Sequence, residues 1–201
     1  MFEMKHWLWL ILALPLTASV LTAALGPRVL RRHSHVPCIA ATLLALVLSA
    51  LVLVEVAQGQ GTVESYYEWF KVSRLEPGFN LVVERVDIGF TLRADGLTAI
   101  TLVTVTFIGS LIAIYSVGYM HGDPGYARFF AEIALFIFSM TGLVLASNFI
   151  VLYAFWEGVG LCSYLLIGFW FGKPSAAAAA RKAFLVTRIG DVSMILSILM
   201  L

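Results

Sequence analysis

Charged residues are scarce in this chain of 201 residues. Asp, Glu, Lys and Arg make up 12% of the sequence, whereas about a quarter of an ordinary soluble domain is charged. Hydrophobic residues make up 61%, so the composition argues against a soluble globule. The net charge of +1 provides neither a basic field nor an acidic tail, and nucleic acid is therefore not an expected partner.

Cysteine is equally scarce, and no soluble catalytic motif is present. Cys38 and Cys162 lie far apart in apolar runs, which excludes a disulfide framework and a zinc-ligand spacing. The "HSH" at 33–35 is interpreted as a solvated loop rather than a metal site. The sequence contains no nucleophile with a positioned histidine, no P-loop and no G-x-G-x-x-G after a strand. We therefore expect no catalytic residue and no metal in this chain.

Long uncharged runs are abundant instead. About 20 residues at 1.5 Å rise cross the hydrocarbon layer of a bilayer. The sequence predicts an all-α polytopic membrane protein with about six such helices, at 7–25, 37–54, 96–120, 129–147, 149–171 and 174–201. The first run could be a signal peptide, but it is long for one and its arginines follow the apolar stretch. The fourth and fifth runs are separated at "ASN", residues 146–148.

A polar segment at 55–95 separates the second and third runs, with seven acidic and four basic residues. Its later part, "FNLVVERVDIGFTLRADG", alternates apolar and polar residues, which predicts one or two short strands at the membrane surface. The predicted organisation is two helices in 1–54, an extracytoplasmic loop in 55–95 and helices three to six in 96–201. Because no cap or polar tail ends the last run, the sequence indicates a piece of a longer membrane protein.

The distribution of positive charge predicts the orientation. Segments 26–36, 118–132 and 172–182 hold seven Lys or Arg in 37 residues, and segments 1–6 and 55–95 hold five in 47. Cytoplasmic loops are the ones enriched in Lys and Arg. The N-terminus and the long loop are therefore expected outside the cytoplasm.

Glu157 stands inside the apolar stretch "WEGVGLCSYLLIGFW" at 156–170. A carboxylate at membrane depth is costly and usually faces a partner or a water-filled cavity. Burial favours the protonated form and a nearby cation the ionised form, so Glu157 is a candidate proton-carrying site. The alternative is a carboxyl near the surface that only anchors the helix. Gly158 and Gly160 would let another helix approach closely.

The next helix supplies candidate partners for Glu157. Arg181, Arg188 and Asp191 fall near one face of that helix, with Lys182 one position round. Alternatively, Arg188 and Asp191 form a neutralising pair, and Arg181 and Lys182 only mark the cytoplasmic end.

Three other carboxylates receive structural interpretations. Glu132 is expected as a charge at the interface just before the fourth helix. Asp95 and Asp123 are expected in turns or helix caps.

Several motifs resemble one membrane-protein family. They are "WEGVGLCSYLLIGFW", "KAFLVTRIGDV", "RADGLT" and the preceding pattern "YSVGYMHGD...RFF...LFIFSM...LVLASN". Together they are similar to the antiporter-like L subunit (subunit 5) of NADH-quinone oxidoreductase, respiratory complex I, strongly over 87–201 and in layout before that. The resemblance implies a fold of about fourteen to sixteen helices, of which this chain would supply the N-terminal part.

The resemblance also implies a function. Glu157 matches the family's proton-channel glutamate, whose lysine partner lies on a later helix, and Arg188 and Asp191 match charges of the sixth helix. It implies redox-coupled proton pumping with other membrane subunits of complex I as partners, in the bacterial inner membrane. NADH, FMN, Fe–S clusters and quinone would belong to other subunits, so this chain would carry no cofactor.

Two alternatives remain open at the level of sequence. The first is a membrane subunit of an Mrp-type cation/proton antiporter, or of a hydrogenase or inorganic-carbon uptake system. The second is a truncated assembly module that packs on a partner without transporting ions.

Overall fold

A computed structural model describes residues 2–30, 33–58, 63–75 and 82–200. The helices are α1 Phe2–Leu25, α2 His35–Ala57, α3 Gly96–Tyr119, α4 Tyr126–Leu145, α5 Phe149–Ile167 and α6 Pro174–Met200, and the strands are β1 Val63–Leu75 and β2 Val82–Ala94. All six helices are long and apolar enough to cross a membrane. The prediction of an all-α polytopic membrane fold with six spanning helices is confirmed.

Several helix ends differ from the predicted ones. α1 passes into a π-helical turn, Gly26–Leu30, rather than stopping at the Gly-Pro pair. α4 begins at Tyr126, three residues before the predicted start, and α5 ends at Ile167 rather than at 171. Gly168 and the residues after it form turns, and α6 begins at Pro174, where proline is suited to a first helical position.

The polar segment between α2 and α3 contains a long antiparallel hairpin. β1 pairs with β2 from Val63–Ala94 to Leu75–Val82, with two irregularities in register. The sequence predicted short strands in the later part, and β2 is there, but the prediction missed β1, whose aromatic and β-branched residues favour a strand. The "GQG" at 59–61, the "EPG" at 76–78 and the arginines at 31 and 32 lie outside the described residues.

The turn between α4 and α5 is held against the hairpin. Asn148 caps α5 by accepting a hydrogen bond from the Val151 amide at 2.8 Å, and its Nδ2 donates to the Gly89 carbonyl at 2.7 Å. The Ser147 hydroxyl donates to the Thr91 carbonyl at 3.0 Å. The "ASN" turn is therefore a junction between two helices and β2.

Pairwise packing orders the helices. α1 packs against α2 and α4, α3 packs against α2, α4 packs against α5, and α5 against α6. Two apolar clusters fill the bundle: one is built around Leu8, Leu102 and Phe155, and the other around Cys38, Ala113 and Phe130. α6 lies at the edge, with one face on α5 and most of its apolar side chains exposed.

Asp95 caps α3, as the sequence predicted. Its carboxylate accepts a hydrogen bond from the Thr98 amide at 2.8 Å, and that bond lowers the pKa of Asp95. A carboxyl with a lowered folded-state pKa stabilises the fold above its unfolded pKa, about 3.9, and this contribution is lost as pH falls through the folded pKa.

Replacing Asp95 is therefore expected to have a pH-dependent effect. Asp95→Ala should cost about 1 kcal/mol at neutral pH, because an N-cap is lost, and the difference from wild type should shrink in acid. Asp95→Asn is the matched control, since an amide oxygen can cap but does not titrate in this range. Thermal unfolding of the full-length subunit in detergent between pH 3 and pH 7, a range set around the carboxyl pKa, would measure both. An equal penalty for Asp95→Ala at every pH would contradict the argument.

Candidate functional site

A charge cluster joins α5 and α6 within their membrane-length segments. Arg188 of α6 forms an ion pair with the carboxylate of Glu157 on α5, and its Nη1 lies 3.5 Å from Asp191 Oδ2. Its Nη2 also lies 3.5 Å from the Glu157 carbonyl oxygen. One guanidinium thus contacts two carboxylates from two helices.

Two aromatic side chains hold this cluster in place. Trp156 Nε1 donates to Asp191 Oδ1 at 2.8 Å, and Asp191 is only 6% exposed. The Arg188 guanidinium lies 4.5 Å from the centre of the Phe184 ring, a cation–π arrangement. The sequence did not predict that Trp156, next to Glu157, would bind Asp191, because that contact depends on how α6 is rotated against α5.

The cluster has an odd balance of charge. Two ionised carboxylates and one guanidinium carry a net charge of −1, and an uncompensated charge in a low-dielectric region is costly. When both acids are ionised, the single guanidinium therefore leaves one carboxylate charge uncompensated.

The two predicted packing glycines have different surroundings. A Cβ at Gly158 would lie 3.0 Å from Ser139 Oγ on α4, tighter than ordinary contact. A Cβ at Gly160 would lie 3.8 Å from Arg188 Nη2, at ordinary van der Waals distance. Close approach of another helix thus occurs at Gly158, and Gly160 lies beside the guanidinium.

Arg181 and Lys182 lie apart from the cluster. Both are exposed at the start of α6, and Arg181 Nε donates to the carbonyl of Ala177 in its own helix at 3.4 Å. Arg181 lines a cavity of about 270 Å³ together with Arg128 and Glu132. The structure thus separates the predicted set into a Glu157–Arg188–Asp191 cluster and two cations nearer the helix end.

Glu132 contradicts the expectation of a charge at the interface. It lies in the second turn of α4 and is 8% exposed. Its Oε1 lies 3.3 Å from Arg128 Nε, and Arg128 also donates to the Phe169 carbonyl. The prediction failed because α4 begins at Tyr126, six residues before Glu132, and α1 and α5 pack against it. The four-residue spacing of Arg128 and Glu132 was the available signal for an intrahelical ion pair.

A second group of polar residues lies where the α1–α2 and α3–α4 turns meet. A cavity of about 640 Å³ is lined there by His33, His35, His121 and Asp123, among others. His35 Nδ1 is 2.9 Å from the Tyr126 hydroxyl. Asp123 accepts hydrogen bonds from Trp170 Nε1 and the Gly125 amide, which lower the pKa of Asp123. Asp123 is thus a turn residue, as predicted. In the described ranges, no His, Cys, Asp or Glu side chains form a group of three suited to a metal ion.

Comparison with protein families gives two matches, one over the middle of the chain and one over its C-terminal part. Residues 69–130 match the family described as NADH-ubiquinone oxidoreductase (complex I), chain 5 N-terminus. Residues 146–201 match the family described as NADH:quinone oxidoreductase/Mrp antiporter, transmembrane.

Curated relatives extend the similarity over the whole chain. The chain is 44% identical over 207 aligned residues to the chloroplastic NAD(P)H-quinone oxidoreductase subunit 5 of Zygnema circumcarinatum, covering 100% of this chain and 28% of that protein. It is 40% identical over 193 residues to the NADH-quinone oxidoreductase subunit L of Mycobacterium tuberculosis, covering 94% and 29%. The chain therefore spans less than a third of the length of these relatives.

A solved structure shares the fold. The membrane-bound sulfane sulfur reductase, an archaeal respiratory membrane complex, has a chain that aligns with a TM-score of 0.75 and 18% identity, covering 92% of this chain and 34% of that one. At that identity the likeness concerns the fold alone.

Proposed function

Because the chain belongs to the antiporter-like subunit L/chain 5 family of NADH-quinone oxidoreductase, we propose that it is part of a proton-translocating membrane subunit. In this proposal the subunit couples electron transfer from NADH to quinone to proton pumping. The observation that carries it is the Glu157–Arg188–Asp191 cluster, which places two carboxylates on one cation between two membrane-length helices.

The proposed mechanism uses the shared cation as a switch. When Arg188 contacts Glu157, the ionised form of Glu157 is favoured; when Arg188 moves toward Asp191, Glu157 is left without its cation and binds a proton. Asp191 can hold Arg188 because Trp156 already orients its carboxylate. A charge change elsewhere in the complex that pulls on Arg188 would therefore load or release a proton at Glu157.

Redox chemistry is assigned to other subunits. NADH, FMN, Fe–S clusters and quinone would bind elsewhere in the complex, and this chain would carry no cofactor and no catalytic residue. Its partners would be the lipid bilayer and the other membrane subunits. The location would be a bacterial inner membrane. The N-terminus would lie outside the cytoplasm, an orientation supported by the excess of Lys and Arg in the turns between α1 and α2 and between α5 and α6.

Neutralising Glu157 tests this function. In vesicles that carry the assembled complex with the full-length subunit, Glu157→Gln should lower NADH-driven proton pumping by roughly tenfold or more, because a positioned proton-transfer group is lost. Electron transfer from NADH to quinone, corrected for the amount of complex, normalises the measurement. Glu64→Gln is the matched control, since Glu64 is 53% exposed on the hairpin and pairs with Arg93 there. Full pumping by Glu157→Gln would refute the proposal.

A cation/proton antiporter is the second candidate, because one matching family covers both quinone oxidoreductases and Mrp antiporters. The two candidate functions differ in what drives proton movement. Proton movement that requires a Na⁺ or K⁺ gradient and ignores NADH would favour the antiporter. A complex in which neither drives proton movement through this subunit would favour the assembly module.

A further inference from the structure

A second buried acid lies on the neighbouring helix, away from the Glu157 cluster. Glu132 is 8% exposed, and its Oε2 is buried with no hydrogen-bond partner among the described residues. Leaving a buried carboxylate oxygen without a hydrogen bond costs more free energy than leaving a neutral group unsatisfied. A fold that keeps such an oxygen needs a reason for it.

The surroundings of Glu132 supply room for water. A cavity of about 430 Å³ is lined by Ser19 and Thr22 of α1 and by Arg128 and Glu132 of α4. The Thr22 hydroxyl is completely buried and is also without a protein partner in the described part of the chain. The cavity surface is mainly apolar, but these two unsatisfied polar side chains line it and offer a water molecule hydrogen-bond partners.

Arg128 and Glu132 also line a second cavity on the other side of α4. It measures about 270 Å³ and is bounded by α5 and α6, including Tyr164 and Arg181. The ion pair therefore lies between one cavity facing α1 and another facing α5 and α6. Glu132 therefore lines both cavities.

The helix contacts set the level of Glu132 relative to Glu157. Ser139 of α4 contacts Gly158, next to Glu157, and its hydroxyl is 3.8 Å from Cys162 Sγ. Seven residues separate Glu132 from Ser139, about 10 Å along the helix axis, and seven separate Tyr164 from Glu157. Glu132 and Tyr164 thus lie at one level, about two turns from Glu157 toward the end of the bundle predicted to be cytoplasmic.

We propose that Glu132, oriented by Arg128, is a proton-relay residue that connects water on the cytoplasmic side of α4 with the Glu157 cluster. The inference rests on the proposed function above. A hydronium ion in the cavity at α1 transfers its proton to Glu132 Oε2, which forms a carboxylic acid and a water molecule. Transfer from the acid to water in the cavity at α5 regenerates the carboxylate beside Arg128. Water beside Tyr164 then carries the proton toward Glu157.

Other ionisable groups surround this step. On α4 and the helices packed against this part of it they are Tyr126, Arg128, His35, Cys38, Cys162, Tyr164 and Arg181. The α1 side of the cavity contributes the neutral side chains of Ser19, Thr22 and Ala23. Replacing Glu132 should therefore change the pH profile through a single carboxyl while these groups stay in place.

The test compares variants of the full-length subunit in the assembled complex. Glu132→Gln should lower the initial rate of NADH-driven proton uptake by roughly tenfold and change its pH profile. Glu132→Asp, which keeps the acid, should restore part of the rate and the wild-type profile. Thr22→Val, which keeps the shape of the threonine but removes its hydroxyl, should slow uptake, because the water in the cavity loses a partner. Glu64→Gln again controls for the loss of a carboxylate.

The outcomes separate the relay from the proposed function. Loss of pumping in Glu157→Gln with normal pumping and pH profile in Glu132→Gln would overturn the relay and leave the function standing. Normal pumping in both would overturn the function first. If Glu132→Gln does not assemble, Glu132→Asp and Thr22→Val decide the matter. Glu132 would be only structural if two results were found together. Thr22→Val would show the wild-type rate and pH profile of proton uptake, and Glu132→Asp would assemble no better than Glu132→Gln.

Discussion

Arg188→Gln is expected to destabilise the full-length subunit by about 3 kcal/mol, because it leaves Glu157 and Asp191 without their shared cation at membrane depth. Under the proposed function, Arg188→Gln also removes the cation that controls proton binding at Glu157. Proton pumping should therefore fall along with stability. Thermal unfolding of the purified complex and proton uptake by vesicles would measure the two effects.

The double variant Arg188→Gln with Glu157→Gln gives the sharper result. Removing Glu157 as well removes one of the two unpaired charges, so the double variant should be more stable than Arg188→Gln alone. Residues in one ion-pair network are expected to couple. If the change in stability of the double variant equalled the sum of the changes in the two single variants, the shared-cation network would be contradicted. Arg181→Gln is the matched control for stability alone: it makes the same change seven residues earlier on α6, at an exposed side chain.

Gly142→Ala is expected to destabilise the packing of α4 against α5 by about 2 kcal/mol, because overpacking a dense core costs that much. A Cβ at Gly142 would overlap the ring of Phe155. The ring cannot move aside easily, since it packs edge-on against Phe138 at 5.5 Å and Phe90 at 5.9 Å. Thermal unfolding of the full-length subunit in detergent is the measurement.

A control and a compensating change define what this result means. Gly118 of α3 has no described atom within 4 Å of an added Cβ, so Gly118→Ala should be close to neutral. Adding Phe155→Leu to Gly142→Ala should recover part of the loss, because a smaller side chain leaves room for the new methyl group. A penalty at Gly118 as large as at Gly142 would point to a backbone effect and not to steric overlap.

The sequence predicted the membrane helices well because hydropathy depends on composition alone. A run of about twenty apolar residues is a helix in a bilayer whatever packs beside it. The cap at Asp95 was also predicted, since a cap acts within three residues of itself, and the break at 146–148 was predicted, although the capping role of Asn148 was not. β1 was missed because its strand pattern extends over few residues and the polar composition of the segment around it is typical of a loop.

For the charged residues, too, part of the result follows from the sequence and part from the tertiary structure. The sequence by itself determined that Glu157, Arg188 and Asp191 lie within membrane-length apolar segments and must have partners, because an isolated charge there is too costly. Only the tertiary structure decided which partners they have. The rotation of α6 on α5 brings Arg188 to both carboxylates and Trp156 to Asp191, and the packing of α1 and α5 around α4 buries Glu132 between two cavities. These contacts join residues from different helices, and helical periodicity carries no information about them.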